Sequence, residues 1–415
     1  MSALAQAFAD ELGGLLQAEE AQGRLLIACS GGGDSTALLL LARDAIGVER
    51  ICAGSINHNL RPEARDELAG LAQLCQSLGV AHQVRDWHWD GRGNLQAAAR
   101  AGRRRLLAEI ADDFGADTVL LGHTADDQAE TLLMRLGRGS GVDGLGGMAA
   151  RDGRFLRPLL SATRSQLRDF LAGRGVDWSD DPSNEDMRFD RVRARAMADT
   201  LRDLGLDRAR LLKTGALMRA EAKALRYGLQ LWANSAVSET AGMLEVDQAR
   251  FAAAPEALQS RFLAQAVRWF SGAAYKPRRD EVLTWHHRIA GGKPAPLGGV
   301  LAQARPGAPL RLWREAAALS GPLALLPHTV STRWDHRWAI SVPQLGDTGL
   351  SVAALGPEGL AACPDWRATG LPRAALETSP AIWSGPHLIA APVLSFGTDW
   401  TATLRPSFAE FLDTH

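Results

Sequence analysis

Lysine is nearly missing from this chain of 415 residues: Lys213, Lys223, Lys276 and Lys293 are all there are, so 42 of its 46 basic residues are arginine. Genome base composition explains that bias more cheaply than function, and it carries no weight here. Cysteine is scarce as well. Cys29, Cys52, Cys75 and Cys363 never approach CxxC spacing, which excludes a zinc ribbon and a thioredoxin-type redox pair; a reduced, cytoplasmic compartment is expected. Met1 to Gln17 has no basic start and no long apolar run, and it carries Asp10 and Glu11, so no signal peptide is expected. No charge-free apolar stretch reaches the roughly 20 residues of a membrane span, and no membrane partner is expected. A net charge of −1 removes whole-protein attraction to nucleic acid and leaves only local basic patches. What remains is 46% apolar residues, enough to bury a core in each of several domains of about 100–200 residues.

Short apolar runs alternate with helical patterns through the first half of the chain. Leu25 to Cys29 reads as a strand, Ser30 to Ser35 as a glycine turn and Thr36 to Arg43 as a helix. Further strands are expected at Arg50 to Ile56, His82 to Trp87 and Thr118 to Leu121, with helices over Glu67 to Leu78, Asn94 to Phe114 and Asp126 to Leu136. Such alternation specifies an α/β, Rossmann-like, doubly wound parallel sheet. One more helix, Ser165 to Arg174, precedes the end of this domain near residue 200. A mostly helical domain is expected over 201–317, closing on a hairpin-like stretch, Pro296 to Trp313. The remainder, 318–415, reads as a small β-rich domain with few helical periods.

The turn Ser30-Gly31-Gly32-Gly33-Asp34-Ser35 joins a strand to a helix amino terminus, where backbone N–H groups and the helix dipole favour an anion, phosphate above all. A Walker A loop fails for want of its lysine. A dinucleotide GxGxxG fails because position 36 is Thr and Asp34 would set a carboxylate against a pyrophosphate. An acid in an anion cradle makes sense where Mg²⁺ bridges it to phosphates or where it takes part in chemistry. The sequence Ser30 to Ser35 resembles the SGGxDS pyrophosphate loop of the N-type ATP pyrophosphatases, which cleave ATP to AMP and pyrophosphate while adenylating a carbonyl-type oxygen. The loop fixes the chemistry and leaves the substrate open.

Other segments narrow it. Asn57-His58-Asn59-Leu60-Arg61 is similar to the VDHGLR segment of tRNA(Ile)-lysidine synthetases, with Asn57 where that family commonly has Asp. His58 by itself could be a hydrogen-bonded loop residue as well as a site residue. Asn94 to Arg100, followed by Arg103, Arg104 and Arg105, resembles the family's N-x-Q-x-x-A-R-x-x-R-Y block; those arginines suit a triphosphate or RNA phosphates, or equally a solvated helix face. Gly122-His123-Thr124-Ala125-Asp126-Asp127-Gln128-Ala129-Glu130 is the strongest signature. Its spacing collects Asp126, Asp127 and Glu130 on a helix face near its amino terminus, at a strand's carboxyl end. Helix capping is the alternative role for one of the two aspartates. Such acids suit an ammonium, its deprotonation, or Mg²⁺. Arg138 to Met148 is glycine-rich and suits a loop that closes on substrate. Arg157-Pro158-Leu159-Leu160 and Trp178 to Asn184, with Phe189, Arg191 and Arg193, resemble further segments of the same family. Arg188 to Arg226 carries 11 basic and 5 acidic residues, a local patch of the kind RNA contacts need.

The resemblance spans roughly residues 24 to 195, and more thinly Pro296 to Glu315. It implies an ATP-dependent ligase that joins L-lysine to carbon 2 of the wobble cytidine in the CAU anticodon of isoleucine tRNA, through an adenylated cytidine. It assigns ATP to Ser30, Gly31, Gly32, Gly33, Asp34, Ser35, His58, Arg100 and Gly122, and lysine to Asp126, Asp127 and Glu130. Asp34, His123 and those three acids are the catalytic candidates, with Asp34 as a candidate Mg²⁺ ligand. Arg61, Arg104, Arg135, Arg138, Arg191, Arg193 and Arg195 are the candidates for tRNA and phosphates, and the two later domains for the rest of the tRNA. The resemblance leaves a homodimer open. A tRNA cytidine thiolase would need cluster-ligating or CxxC cysteines, an RNA-binding protein with dead chemistry would tolerate loss of Asp34 or Glu130, and an amidating synthetase would bring a glutaminase segment.

Overall fold

The computed structural model describes residues 2–58, 64–89, 91, 95–179, 190–326, 329–342, 349–397 and 399–414. The chain divides into two compact units, Met1–Ala222 and Lys223–His415. Among the described residues no helix is long and apolar enough to cross a membrane.

The first unit runs α1 (Ala3–Leu15), β1 (Arg24–Ala28), α2 (Gly33–Ile46), β2 (Ile51–Asn57), α3 (Ala64–Ser77), β3 (Ala81–Asp86), α4 (Leu95–Asp113), β4 (Ala116–Leu121) and α5 (Ala125–Gly137). It continues through the short α6 (Val142–Leu145), the hairpin β5 (Arg151–Asp152) and β6 (Phe155–Leu156), α7 (Arg164–Ala172), α8 (Asp190–Ala196) and α9 (Ala198–Asp203). The six-stranded sheet has the order β3-β2-β1-β4-β6-β5. All neighbours are parallel except β5 and β6, whose two-residue strands form an antiparallel edge hairpin. Strand periodicity sorts β1 between the faces. Leu25 and Ile27 join Phe8, Leu12, Leu38 and Leu41 in one core, while Leu26 and Ala28 join Leu107, Ile110 and Val119 in the other. Helices therefore cover both faces, as the alternating pattern requires. The chain leaves β1 toward β2 and β3 on one side and returns to β4 on the other. That reversal opens a crevice at the carboxyl ends of β1 and β4, where doubly wound sheets take their ligands.

A long helix, α10 (Arg208–Ala236), contains the boundary between the units. The second unit continues with β7 (Val237–Thr240), β8 (Met243–Val246), α11 (Gln248–Ala253), α12 (Glu256–Ser271), α13 (Arg279–Ile289), β9 (Ala295–Leu297), β10 (Val300–Gln303) and β11 (Leu310–Arg314). The helical content expected here is present in α10, α12 and α13, and the hairpin-like stretch becomes part of a five-stranded antiparallel sheet, β7-β8-β11-β10-β9. The β-rich remainder holds β12 (Leu323–Ala324), β13 (Ser331–Trp334), β14 (Trp338–Ser341) and β15 (Leu350–Ala354), the short α14 (Gly356–Ala361) and α15 (Arg373–Glu377), then β16 (Pro380–Ser384), β17 (His387–Ala390), β18 (Thr401–Leu404) and α16 (Phe408–Thr414). Two small sheets, β12-β15-β16-β17 and β13-β14-β18, share a core of Trp334, Trp338, Ile340, Val352 and Ile382. Phe408, Phe411 and Leu412 of α16 pack instead into the helical core with Phe262 and Phe270. Asp335, fully buried, accepts from Arg314 Nε at 3.2 Å and from Ser320 N–H at 3.1 Å, and lies 3.5 Å from Arg337 Nε. This buried ion cluster ties the β13–β14 turn to β11.

Candidate active site

The glycine loop is organised by its own serines. Ser30 N–H donates to Ser35 Oγ at 3.1 Å, and Ser35 Oγ donates to the Gly32 carbonyl at 3.0 Å. Gly31 has φ 84°, a left-handed backbone that side chains resist. The helix pattern expected from Thr36 starts earlier: α2 begins at Gly33, with Gly32 at its cap position and no side-chain cap, so Asp34 lies in its first turn. Two neighbours brace the loop. Ser179 N–H donates to the Gly31 carbonyl at 3.0 Å, and a Cβ on Gly33 would lie 3.2 Å from Trp178. From the β4 side, a Cβ on Gly122 would lie 3.2 Å from the Asp34 carbonyl and from Ser35 N and Cα. Gly122 thus serves the loop by its lack of a side chain.

The acids of α5 meet Asp34 around a residue that the spacing argument passed over, Arg164. Its Nη2 donates to Asp127 Oδ1 at 2.5 Å, its Nη1 to Glu130 Oε1 at 2.7 Å, and its Nε to Asp34 Oδ2 at 3.3 Å. Its backbone N–H donates to Asp126 Oδ2 at 2.8 Å. Arg195 Nε adds a bond to Glu130 Oε1 at 3.1 Å and Arg208 Nη1 one to Asp126 Oδ1 at 2.7 Å. Asp127 is also the capping residue: its Oδ2 accepts from Thr124 N–H at 2.8 Å, while Asp127 N–H donates to Thr124 Oγ1. One carboxylate therefore caps α5 with one oxygen and joins the cluster with the other. Burial raises the Asp34 carboxyl above its ordinary pKa, against the pull of Arg164. Burial also opposes ionisation of Asp127, yet Arg164 and the Thr124 N–H hold its pKa below the ordinary value. Burial works against the charge of Arg164 too, and Glu130, Asp127 and Asp34 outweigh it. Arg164 accordingly stays charged, and Asp34 is its most weakly held partner.

His123 feels the charge of Asp127 in the cluster, and both His123 and His58 feel that of Arg103. Burial, reinforced by the charge of Arg103, drives the His123 pKa down to about 3 and lowers that of His58. The Nδ1 atoms of both are buried without a hydrogen-bond partner among the described residues. The His58 ring meets Trp87 edge to face at 5.7 Å, and a Cβ on Gly102 would fall 2.1 Å from the Trp87 indole nitrogen. Arg103, next in sequence, is half-buried and has no ion pair among the described residues. Burial and the charges of Arg100 and Arg191 lower its pKa.

The other candidate arginines scatter. Arg104 reaches Asp152 at 2.6 Å and lies over the Phe155 ring at 4.0 Å. Arg135 Nη1 donates to the carbonyls of Gly144 and Gly147, at 2.6 and 2.7 Å. Together with Gln128, which bonds both the N–H and the carbonyl of Met148, it ties down the glycine-rich segment expected to be a closing loop. Arg157 is buried and donates to the Ala149 carbonyl at 2.7 Å. Arg138 and Arg193 pair with Asp190. Arg100 is exposed on α4, and neither it nor Arg191 has an ion pair among the described residues. Arg61 and residues 180–189, including Phe189, lie outside the described residues.

A parallel sheet whose first strand runs into this loop, with acids delivered from the β4 end, defines a nucleotide-binding PP-loop protein, and the family model described as a PP-loop domain matches residues 4–199. A tRNA(Ile)-lysidine synthase of Ruegeria pomeroyi is 42% identical over 397 residues, covering 94% of this chain and 93% of the relative. Another, from a Methylobacterium species, is 37% identical over 77% of this chain and 93% of its own length, and one from Brucella anthropi is 32% identical over 90% and 86%. The chain belongs to the tRNA(Ile)-lysidine synthase family.

Proposed function

We propose that this chain ligates L-lysine to carbon 2 of the wobble cytidine in the CAU anticodon of isoleucine tRNA, consuming ATP. The observation that carries this reading is the junction of the Ser30–Ser35 loop with four carboxylates, of which Asp34, Asp127 and Glu130 already close around a side-chain cation while Asp126 accepts from the backbone N–H of the same residue. The loop backbone receives the triphosphate. The cytidine O2 attacks the α-phosphorus and pyrophosphate leaves, so that a poor leaving group becomes AMP. The ε-amine of lysine, held among Asp126, Asp127 and Glu130, loses a proton to a carboxylate and attacks carbon 2; AMP departs with the original oxygen. Arg103, Arg100 and Arg191 supply positive charge for phosphates.

Asp34 fits a magnesium ion. Mg²⁺ is ordinarily held by one or two carboxylates together with substrate phosphates, and among the described residues no three ligating side chains form a closed cage of their own. When bound it would neutralise charge on the leaving pyrophosphate. The helices and sheets beyond residue 200 are assigned to tRNA selection, with Arg191 and Arg193 on the backbone of the RNA.

The test is incorporation of radiolabelled lysine into a CAU-anticodon isoleucine tRNA transcript with ATP and Mg²⁺. Label in the RNA with release of AMP is expected for wild type, and a loss of at least about a hundredfold for Asp34→Ala. ATP cleavage to AMP that needs tRNA but leaves no lysine in it would hand the nucleophile to another amine.

A further inference from the structure

Arg164 stands where the proposed function puts the amine of lysine. Its guanidinium satisfies Asp127 and Glu130, at 2.5 and 2.7 Å, and spans to Asp34 of the glycine loop at 3.3 Å. Buried carboxylates need a cation, and removing it is costly. Arg195 and Arg208 each reach a single acid of the cluster, Glu130 and Asp126 respectively; among the described residues Arg164 alone joins the loop acid to the acids of α5. A second observation shows that it fills the site incompletely. Glu130 Oε2 is buried, in a side chain only 7% exposed, yet it has no hydrogen-bond partner among the described residues. A planar fork has left an acceptor that a compact ammonium with three rotatable donors can reach. Arg164 holds Asp127 Oδ1, and it fills Glu130 Oε1 together with Arg195, so a lysine ammonium can take these oxygens only when the Arg164 guanidinium leaves them. Arginine forks pair especially well with phosphate, and Arg164 already touches the loop on which the triphosphate would lie.

We propose that Arg164 is an internal competitor of substrate lysine and is released by nucleotide: ATP on the Ser30–Ser35 loop draws the guanidinium from Asp127 and Glu130 onto a phosphate oxygen, and the lysine ammonium takes its place. This rests on the reading of the site as a lysine ligase. It makes binding ordered, ATP before lysine, and keeps the acids neutralised at every stage. Reciprocity requires that lysine tighten nucleotide by the same factor as nucleotide tightens lysine.

Equilibrium dialysis of radiolabelled lysine against the full chain, with and without a non-hydrolysable ATP analogue, tests it on wild type, Arg164→Gln and Arg164→Lys, with thermal melts recorded alongside. Wild type is expected to bind lysine about tenfold or more tightly when the analogue is present, and the analogue to bind more tightly by that factor when lysine is present. Folded Arg164→Gln is expected to bind lysine without nucleotide as well as wild type does with it. Should Arg164→Gln not fold, the wild-type reciprocity decides, together with a reduced nucleotide effect in Arg164→Lys. Lysine affinity in wild type that ignores nucleotide overturns the gate and leaves the ligase reading standing. A folded Arg164→Gln that has lost lysine affinity also overturns it, making Arg164 a support for the acids. Absence of lysine binding in wild type under every condition overturns the ligase reading and the gate together.

Discussion

Histidine 123 shows how much a single residue's surroundings decide. Half-buried, with its Nδ1 atom shut off from solvent and under the charge of Arg103, it remains neutral to about pH 3, whereas in an unfolded chain it would take up a proton near pH 6.5. A histidine whose folded pKa is depressed contributes stability that is complete above the unfolded value and is lost as pH falls from about 6.5 toward about 3, because only the unfolded chain binds the proton. Within that window the first unit of wild type should lose about 1.4 kcal/mol more per pH unit than His123→Gln. Urea unfolding of both proteins at pH 6, 5 and 4 measures the difference, and parallel curves would count against a buried neutral imidazole. The same scale separates Arg103 from Arg104. The block Arg100 to Arg105 was readable as phosphate-binding, but successive helix residues point about 100° apart. Arg104 goes to Asp152 and Phe155, while Arg103, half-buried, lies where its charge acts on both histidines. Composition and spacing marked the cluster, and only the helix phase, set by Trp87 packed on Gly102, chose its member.

At the scale of elements, the site is made by two helix amino termini set side by side. α2 contributes the loop and Asp34; α5 contributes its acids at a capping box, Thr124 with Asp127. The alternation of short apolar runs with helical periods makes the parallel sheet and both helices legible in the sequence, and with them the carboxyl end of β4 as a ligand site. Arg164 was not legible in that way. It lies at the first position of α7, where a cation opposes the helix dipole, and that anomaly was the signal that acids lay nearby. Nor does periodicity show what a glycine touches. Gly122→Ala would set a methyl 3.2 Å from the backbone of Asp34 and Ser35, a contact that only a shift of the loop relieves. The variant is expected to fold with a loss of about 1–3 kcal/mol and to bind ATP several-fold more weakly. Thr124→Ala, which removes only the cap, should cost about 1 kcal/mol and leave ATP affinity nearer wild type. Thermal melts and ATP titrations of the pair make the comparison; equal ATP affinities would show that the close packing of Gly122 on the loop has no bearing on nucleotide.

At the scale of the whole molecule, α10 belongs to both units, and its side chains show where one ends. Leu211 packs with Ala129 and Leu132 of α5, and Arg219 Nη1 donates to the Gly146 carbonyl at 2.6 Å. Farther along, Leu229 and Ala233 enter the core of the second unit with Phe262 and Trp285. A chain of residues 1–222 therefore keeps every α10 contact that serves the nucleotide site and exposes none of the residues that serve the other core. It should unfold cooperatively on its own, because both faces of its sheet remain covered, and bind ATP within a few-fold of the full chain. It retains most of the basic run that begins at Arg188, so its tRNA affinity should persist and fall steeply with salt, log K changing by about 0.7–0.9 per phosphate contact for each decade. What it should lose is choice: isoleucine tRNA and methionine tRNA, both with CAU anticodons, should bind the fragment alike. Filter binding of the two RNAs to fragment and full chain across a salt series reads this directly. A fragment that still prefers isoleucine tRNA would place selection in the PP-loop unit and leave the second unit another task.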